Sequence, residues 1–126
     1  MTDAHIEQPP ANGDVAAAIS NLTVHLLSEY TGRGPTRART HLSGELVAVV
    51  LQDTMTKGER SLIRDGESER VLATRSAYQR TMRAELAAGV AHITGREVVA
   101  FMSANHIDPD MGVEIFILAP ESERPM

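Results

Sequence analysis

The chain of 126 residues contains no cysteine. That removes disulfide frameworks, thiolate metal sites and cysteine nucleophiles together. Tryptophan is absent and there are two Tyr and two Phe, so the stacking platforms that hold single-stranded nucleic acid are missing. No long apolar run occurs either. The longest aliphatic stretch, Leu46 to Leu51, falls far short of the ~20 residues that cross a bilayer, so direct membrane insertion is not expected. A secretory signal needs a basic start followed by an apolar stretch. Met1 to Asp14 is instead polar and acidic, with Pro9-Pro10 and Asn12-Gly13. These features predict a soluble, cytoplasmic protein that reaches a membrane only through a partner. The net charge of −5 is concentrated at the ends, where Asp3, Glu7, Asp14, Glu121 and Glu123 lie. The middle is close to neutral, so charge selects no class of partner.

What is present suits one globular domain: 42% hydrophobic and 23% charged residues over a length too short for two domains. The expected organisation is a disordered tail over 1–13, a single α+β domain over 14–119 and a second disordered tail over 120–126. Asp14 is suited to cap a helix whose apolar stripe is Val15, Ile19, Leu22, Leu26 and Tyr30, stopped by Gly32. His25 lies at the edge of that stripe and reads as an ordinary packed or surface histidine. Gly34-Pro35 breaks the chain. From Thr36 to Ser43, Arg37, Arg39 and His41 share one face, opposite Ala38, Thr40 and Leu42. A turn at Ser43-Gly44-Glu45 leads to Leu46–Leu51, completing a β-hairpin.

Thr56-Lys57-Gly58-Glu59 has capping-box spacing, in which the threonine hydroxyl takes the N3 amide and the glutamate returns to the N-cap amide. A short helix through Leu62 and Ile63 follows. A long one runs from about Ser68 to Thr94, with Val71, Tyr78, Met82, Leu86, Val90 and Ile93 as its stripe and Gly95 as its stop. Glu97–Ala104 and Val113–Ala119 read as two further strands. Thr31-Gly32-Arg33 and Thr94-Gly95-Arg96 each join a helix end to a pair of strands. The order predicts a pseudo-twofold αββ-α-αββ domain: two layers, a four-stranded antiparallel sheet with helices on one face. Yet Leu46–Leu51, Val98–Met102 and Ile115–Leu118 are apolar on both faces, whereas a two-layer sheet needs only one apolar face. A homodimer that covers the second face is expected.

Candidate chemistry is sparse. Gly32-Arg33-Gly34-Pro35-Thr36 lacks the Gly-Lys-Ser/Thr ending of a phosphate loop. As structure it reads as a helix stop and turn carrying a solvent-facing Arg33; the functional reading is a small basic strip of Arg33, Arg37, Arg39 and His41 for an anion or an acidic partner surface. Arg75 falls in the middle of the long helix's apolar stripe, where a charge needs a partner, and Glu59 is the natural one. His106, Asp108 and Asp110 lie within one loop, but Asp-Pro-Asp is also an ordinary turn, and no metal or other cofactor is expected. A nucleic-acid module of the KH type would need a Gly-x-x-Gly joint between helices. Asp65-Gly66-Glu67-Ser68-Glu69 offers one glycine and three acids there, which repel phosphate. No catalytic constellation stands out, and an enzyme is not expected.

Read in order, Gly32-Arg33-Gly34-Pro35, an apolar strand, Thr56-x-x-Glu59, Arg75, Thr94-Gly95-Arg96-x-Val98 and Glu114-Ile115-Phe116-Ile117-Leu118 resemble the MpsC-like family. The resemblance spans roughly Ala18 to Ala119. The family takes its name from a cation-translocating, membrane-potential-generating system of which one member is the third component. The resemblance implies a soluble accessory or regulatory subunit, with a membrane transporter subunit as partner. It carries over no catalytic residues. The positions that match its pattern are Arg33, Gly34, Pro35, Thr56, Glu59, Arg75, Thr94, Gly95 and Arg96, with no role attached. The alternative reading is a small-molecule or anion-binding domain, enzymatic or not, with a site at the dimer seam around Arg33 and Arg75.

Overall fold

The computed structural model describes residues 12–121. Helix α1 spans Asn12–Thr31, followed by strands β1 (Arg37–Ser43) and β2 (Leu46–Gln52). Helices α2 (Lys57–Arg64) and α3 (Ser68–Thr94) come next, then β3 (Val98–His106) and β4 (Met111–Leu118). The expected tails lie outside the described residues over 1–11 and 122–126, but Asn12 and Gly13 already belong to α1. Asp14 therefore sits within the first helical turn and is not the cap; there it still complements the positive end of the helix. The second hairpin loop is also tighter than expected, because β3 runs on to His106 and β4 starts at Met111.

The four strands form one antiparallel sheet in the order β1-β2-β4-β3, an arrangement that is unchanged when the αββ halves are exchanged. The helix ends repeat the symmetry in detail. Gly32 and Gly95 both take positive φ, 83° and 71°, which stops each helix where glycine alone is unstrained. Thr31 donates to Leu27 O at 2.7 Å and receives the Arg33 amide at 3.3 Å. Thr94 donates to Val90 O at 2.8 Å and receives the Arg96 amide at 3.2 Å. The Thr-Gly-Arg repeat is thus one structural device used twice.

Helices α1 and α3 cover one face of the sheet. Period-2 alternation sends Val47, Val49 and Leu51 of β2 and Phe116 and Leu118 of β4 to that face, where all are buried against Ile19, Leu26, Met82 and Leu86. Phe101 on β3 packs on Phe116 with ring centroids 5.1 Å apart. On α1 the buried positions are Ile19, Thr23, Leu26 and Leu27, while Leu22 and Tyr30 of the expected stripe pack at the margin. Leu22 lies against Gly89 of α3, where a Cβ would come within 2.5 Å of it, so the glycine lets the two helices close. The opposite sheet face carries no element among the described residues. Leu46 and Met102 are 39% and 51% exposed there, and a bulge between Val98 and Ala100 turns Val99 out at 58%.

Candidate functional site

Most of the singled-out residues meet at one end of the sheet, where β2 leaves it and β4 enters. Thr56 caps α2: its hydroxyl accepts the Glu59 amide at 3.1 Å, and Glu59 Oε1 accepts the Thr56 amide at 2.8 Å. The capping box thereby fixes a carboxylate that also faces α3. Arg75 Nη1 donates to both of its oxygens, at 3.1 and 3.3 Å, with the two side chains 5% and 11% exposed. The pairing expected from the lone charge on an apolar stripe is present.

The pair opens a longer polar chain. Arg75 Nε donates to Asn105 Oδ1 at 3.3 Å, and Asn105 Nδ2 donates to Gln79 Oε1 at 2.9 Å. Gln79 Nε2 donates at 3.0 Å to Oε2 of Glu114, whose other oxygen accepts the Ser103 hydroxyl. Glu114 is fully buried on the core face of a central strand. Burial pushes its carboxyl pKa up, against the pull of the Ser103 and Gln79 hydrogen bonds and the Arg75 charge. Among the described residues no buried side-chain nitrogen or oxygen lacks a partner. The network is closed, and it fastens α2, α3, β3 and β4 together.

A second, more exposed cluster lies beside the first. Asp53 follows β2 with φ 58°, and Arg33 grips it twice: Nη1 to the backbone oxygen at 2.5 Å and Nη2 to Oδ2 at 2.9 Å. Arg60 donates to the other carboxylate oxygen. The Arg33 hydrogen bond, with Arg60 behind it, holds the Asp53 carboxyl below its usual range although burial opposes the shift. Asp110 accepts the Thr54 hydroxyl at 2.9 Å and the Met55 amide at 3.0 Å. Its carboxylate is thus directed away from His106, whose Nδ1 lies 2.8 Å from Pro109 O. The loop trio is divided, and no group of three or more His, Asp or Glu side chains that could hold a metal converges among the described residues.

Arg33 departs from its expected solvent-facing role. Its side chain is 33% exposed and tied down, because the turn that follows α1 aims it at the end of β2 and not outward. Arg96 does the same at the far end of the sheet. Its Nε and Nη2 reach Ala119 O at 3.0 and 2.7 Å, and Nη1 reaches Gly44 O at 3.2 Å. Gly34 lies against α1, where a Cβ would meet the Ser28 Oγ at 2.6 Å, and Pro35 follows it into β1. The motif residues therefore form two groups: Arg33 to Arg75 at one end, and Thr94, Gly95 and Arg96 at the other. Arg33 and Arg75 do not meet at the open sheet face, so a ligand seam built on both is not formed there. Arg37, Arg39 and His41 do share that face, exposed along the β1 edge.

Asp53, Gln79, Ser103, Asn105 and Glu114 were not singled out as functional or tying residues in the sequence. Gln79 carried a usable signal, since it stands four residues after Arg75 and three before Met82 on the same stripe. Glu114 did too, as a charge between apolar neighbours at an inward position of β4. Asp53 carried none, because its role depends on a turn brought close from twenty positions away.

Residues 11–120 match the family model described as Na+-translocating membrane potential-generating system (MpsC). No curated protein and no solved structure matches the chain. No helix among the described residues is long and apolar enough to cross a membrane.

Proposed function

The chain belongs to the MpsC family, and from that premise we propose that it is a non-catalytic accessory subunit of a Na+-translocating, membrane-potential-generating system. It works outside the bilayer, on the cytoplasmic side, as a homodimer. The observation that carries this reading is the family match across nearly the whole folded domain. Two features of the fold support it. The guanidiniums of Arg33, Arg75 and Arg96 are each engaged by another element of the same chain, as in a scaffold held rigid for docking. The open sheet face is apolar at its centre, as in a surface meant to be covered.

The test uses inverted membrane vesicles that carry the translocating subunits but lack this chain. Purified protein should sediment with those vesicles and increase the Na+-dependent potential reported by a voltage-sensitive dye. Equal sedimentation with vesicles lacking those subunits, together with an unchanged potential, would refute the proposal.

A further inference from the structure

The open sheet face has a pattern of its own. β2 and β4 turn Ala48, Val50, Val113 and Ile115 outward at its centre, and β3 adds Met102 and Ala104. A hollow of about 400 Å³ at one end is lined by apolar side chains including Val50, Met111 and Val113. Along the other edge β1 carries Arg37, Arg39 and His41, and none of the three has an ion-pair partner among the described residues.

Four strands ~4.8 Å apart, with seven paired residues rising ~3.3 Å each, make a face of roughly 450 Å². Two such faces remove about 900 Å² in projection, before side-chain corrugation is added, close to the ~1,000 Å² that a stable interface should clear. The β3 edge, by contrast, is interrupted by its bulge, which disfavours growth of the sheet from that side.

We infer that a second copy occupies this face, stacked sheet on sheet about a two-fold axis that runs along the strands. This rests on the homodimer reading above and adds its geometry. Charge selects the axis. A two-fold lying across the strands would lay β1 on the other copy's β1 and bring the two arginine strips together. A two-fold along the strands lays each β1 on the other copy's β3. There the register sets Arg39 over Ala104, His41 over Met102 and Arg37 over His106 at the end of the strand, so the stem of Arg39 gains apolar ground and the guanidiniums reach water past the sheet edge. The axis has a further consequence. Rotation about the strand direction leaves both copies pointing the same way, so their two Arg33–Asp53–Arg60 clusters face one side of the dimer. A two-fold across the strands would put them at opposite ends. A doubled, like-facing end would let both copies engage one membrane complex from the same side.

The absence of cysteine makes the test clean, because single-cysteine variants report only the position chosen. R39C and A104C are both exposed, on opposite edges of the sheet. In the inferred dimer they stand across a gap of about 10 Å, whereas two copies of R39C lie roughly 17 Å apart. A short bis-maleimide should link co-expressed R39C and A104C chains and leave R39C alone unlinked. Efficient linking of R39C to itself would place the axis across the strands and overturn the inference while keeping the homodimer. Light scattering that shows a monomer, with no linking in either sample, would overturn both. I115K, at the centre of the face, should halve the mass while keeping its circular dichroism. A folded I115K that stays dimeric would move the interface elsewhere and overturn the inference.

Discussion

Removing Arg75 separates the buried pair from the helix cap that shares its carboxylate. In Arg75→Met the aliphatic stem still fills the stripe between Val71 and Gln79, but Glu59 keeps only the Thr56 amide in a site 11% exposed. Breaking a buried pair from one side costs ~3–5 kcal/mol. The surviving cap bond and the start of α2 beside Glu59 put this case at the lower end, about 3 kcal/mol. Glu59→Gln keeps one oxygen for the cap amide and Arg75 Nη1 but removes the charge and turns an amide NH2 toward the guanidinium in place of the second oxygen, and about 2 kcal/mol is expected. Thr56→Ala removes the cap and spares the pair, at ~1 kcal/mol. The double variant Glu59→Gln/Arg75→Met removes both charges and should recover at least ~1 kcal/mol relative to the sum of the singles. Urea unfolding at one fixed protein concentration measures all four, since the stability of the proposed dimer would depend on concentration. For Arg75→Met the thermal midpoint should fall by on the order of 10 °C. Single variants that each cost under ~0.5 kcal/mol, or a double variant that is simply additive, would refute the assignment of this pair as a structural tie.

Arg33→Ala should lower the melting temperature, because it releases the end of β2 from the turn after α1; Arg33→Lys should lose less, and an unchanged melt would return Arg33 to a solvated turn. Glu114 has a raised pKa in the fold, so the native state holds its proton more firmly than the unfolded chain does. Stability should therefore fall as pH rises from the ordinary carboxylate range through that raised value, and Glu114→Gln should flatten the dependence of the urea midpoint on pH. Asp53 has the opposite sign: its contribution is present above the ordinary carboxylate value and is lost as pH falls through the lowered one, so Asp53→Asn should weaken acid sensitivity. Gly89→Val should cost ~1–3 kcal/mol by pushing Leu22 of α1 away from α3, read from the same unfolding curves.

How much was legible in the residues follows from the range of each interaction. Element types and the turn signals at Gly32, Thr56 and Gly95 depend on neighbours three or four positions away, and they were readable in order. So was the pseudo-repeat, because Thr-Gly-Arg closes both helices with the same local hydrogen bonds. The Glu59–Arg75 pair was legible for a different reason: a charge on an apolar stripe announces that a partner must exist. Asp14, expected as the cap, lies inside α1, since Asn12 and Asp14 are both good first-turn residues and local chemistry does not rank them.

The destinations of long side chains were decided by tertiary structure alone. Arg33 looked solvent-facing between two glycines, yet the antiparallel return of β2 puts Asp53 within its reach. Glu114 and Gln79 became a joined network only when β4 and α3 were stacked face to face. The sequence by itself determined which strands had a second apolar face, because alternation is a local property of the chain. Which helices cover the first face, which side chains close the core's polar bonds and which face is left open depend on packing across the whole domain, and period and spacing carry no record of it.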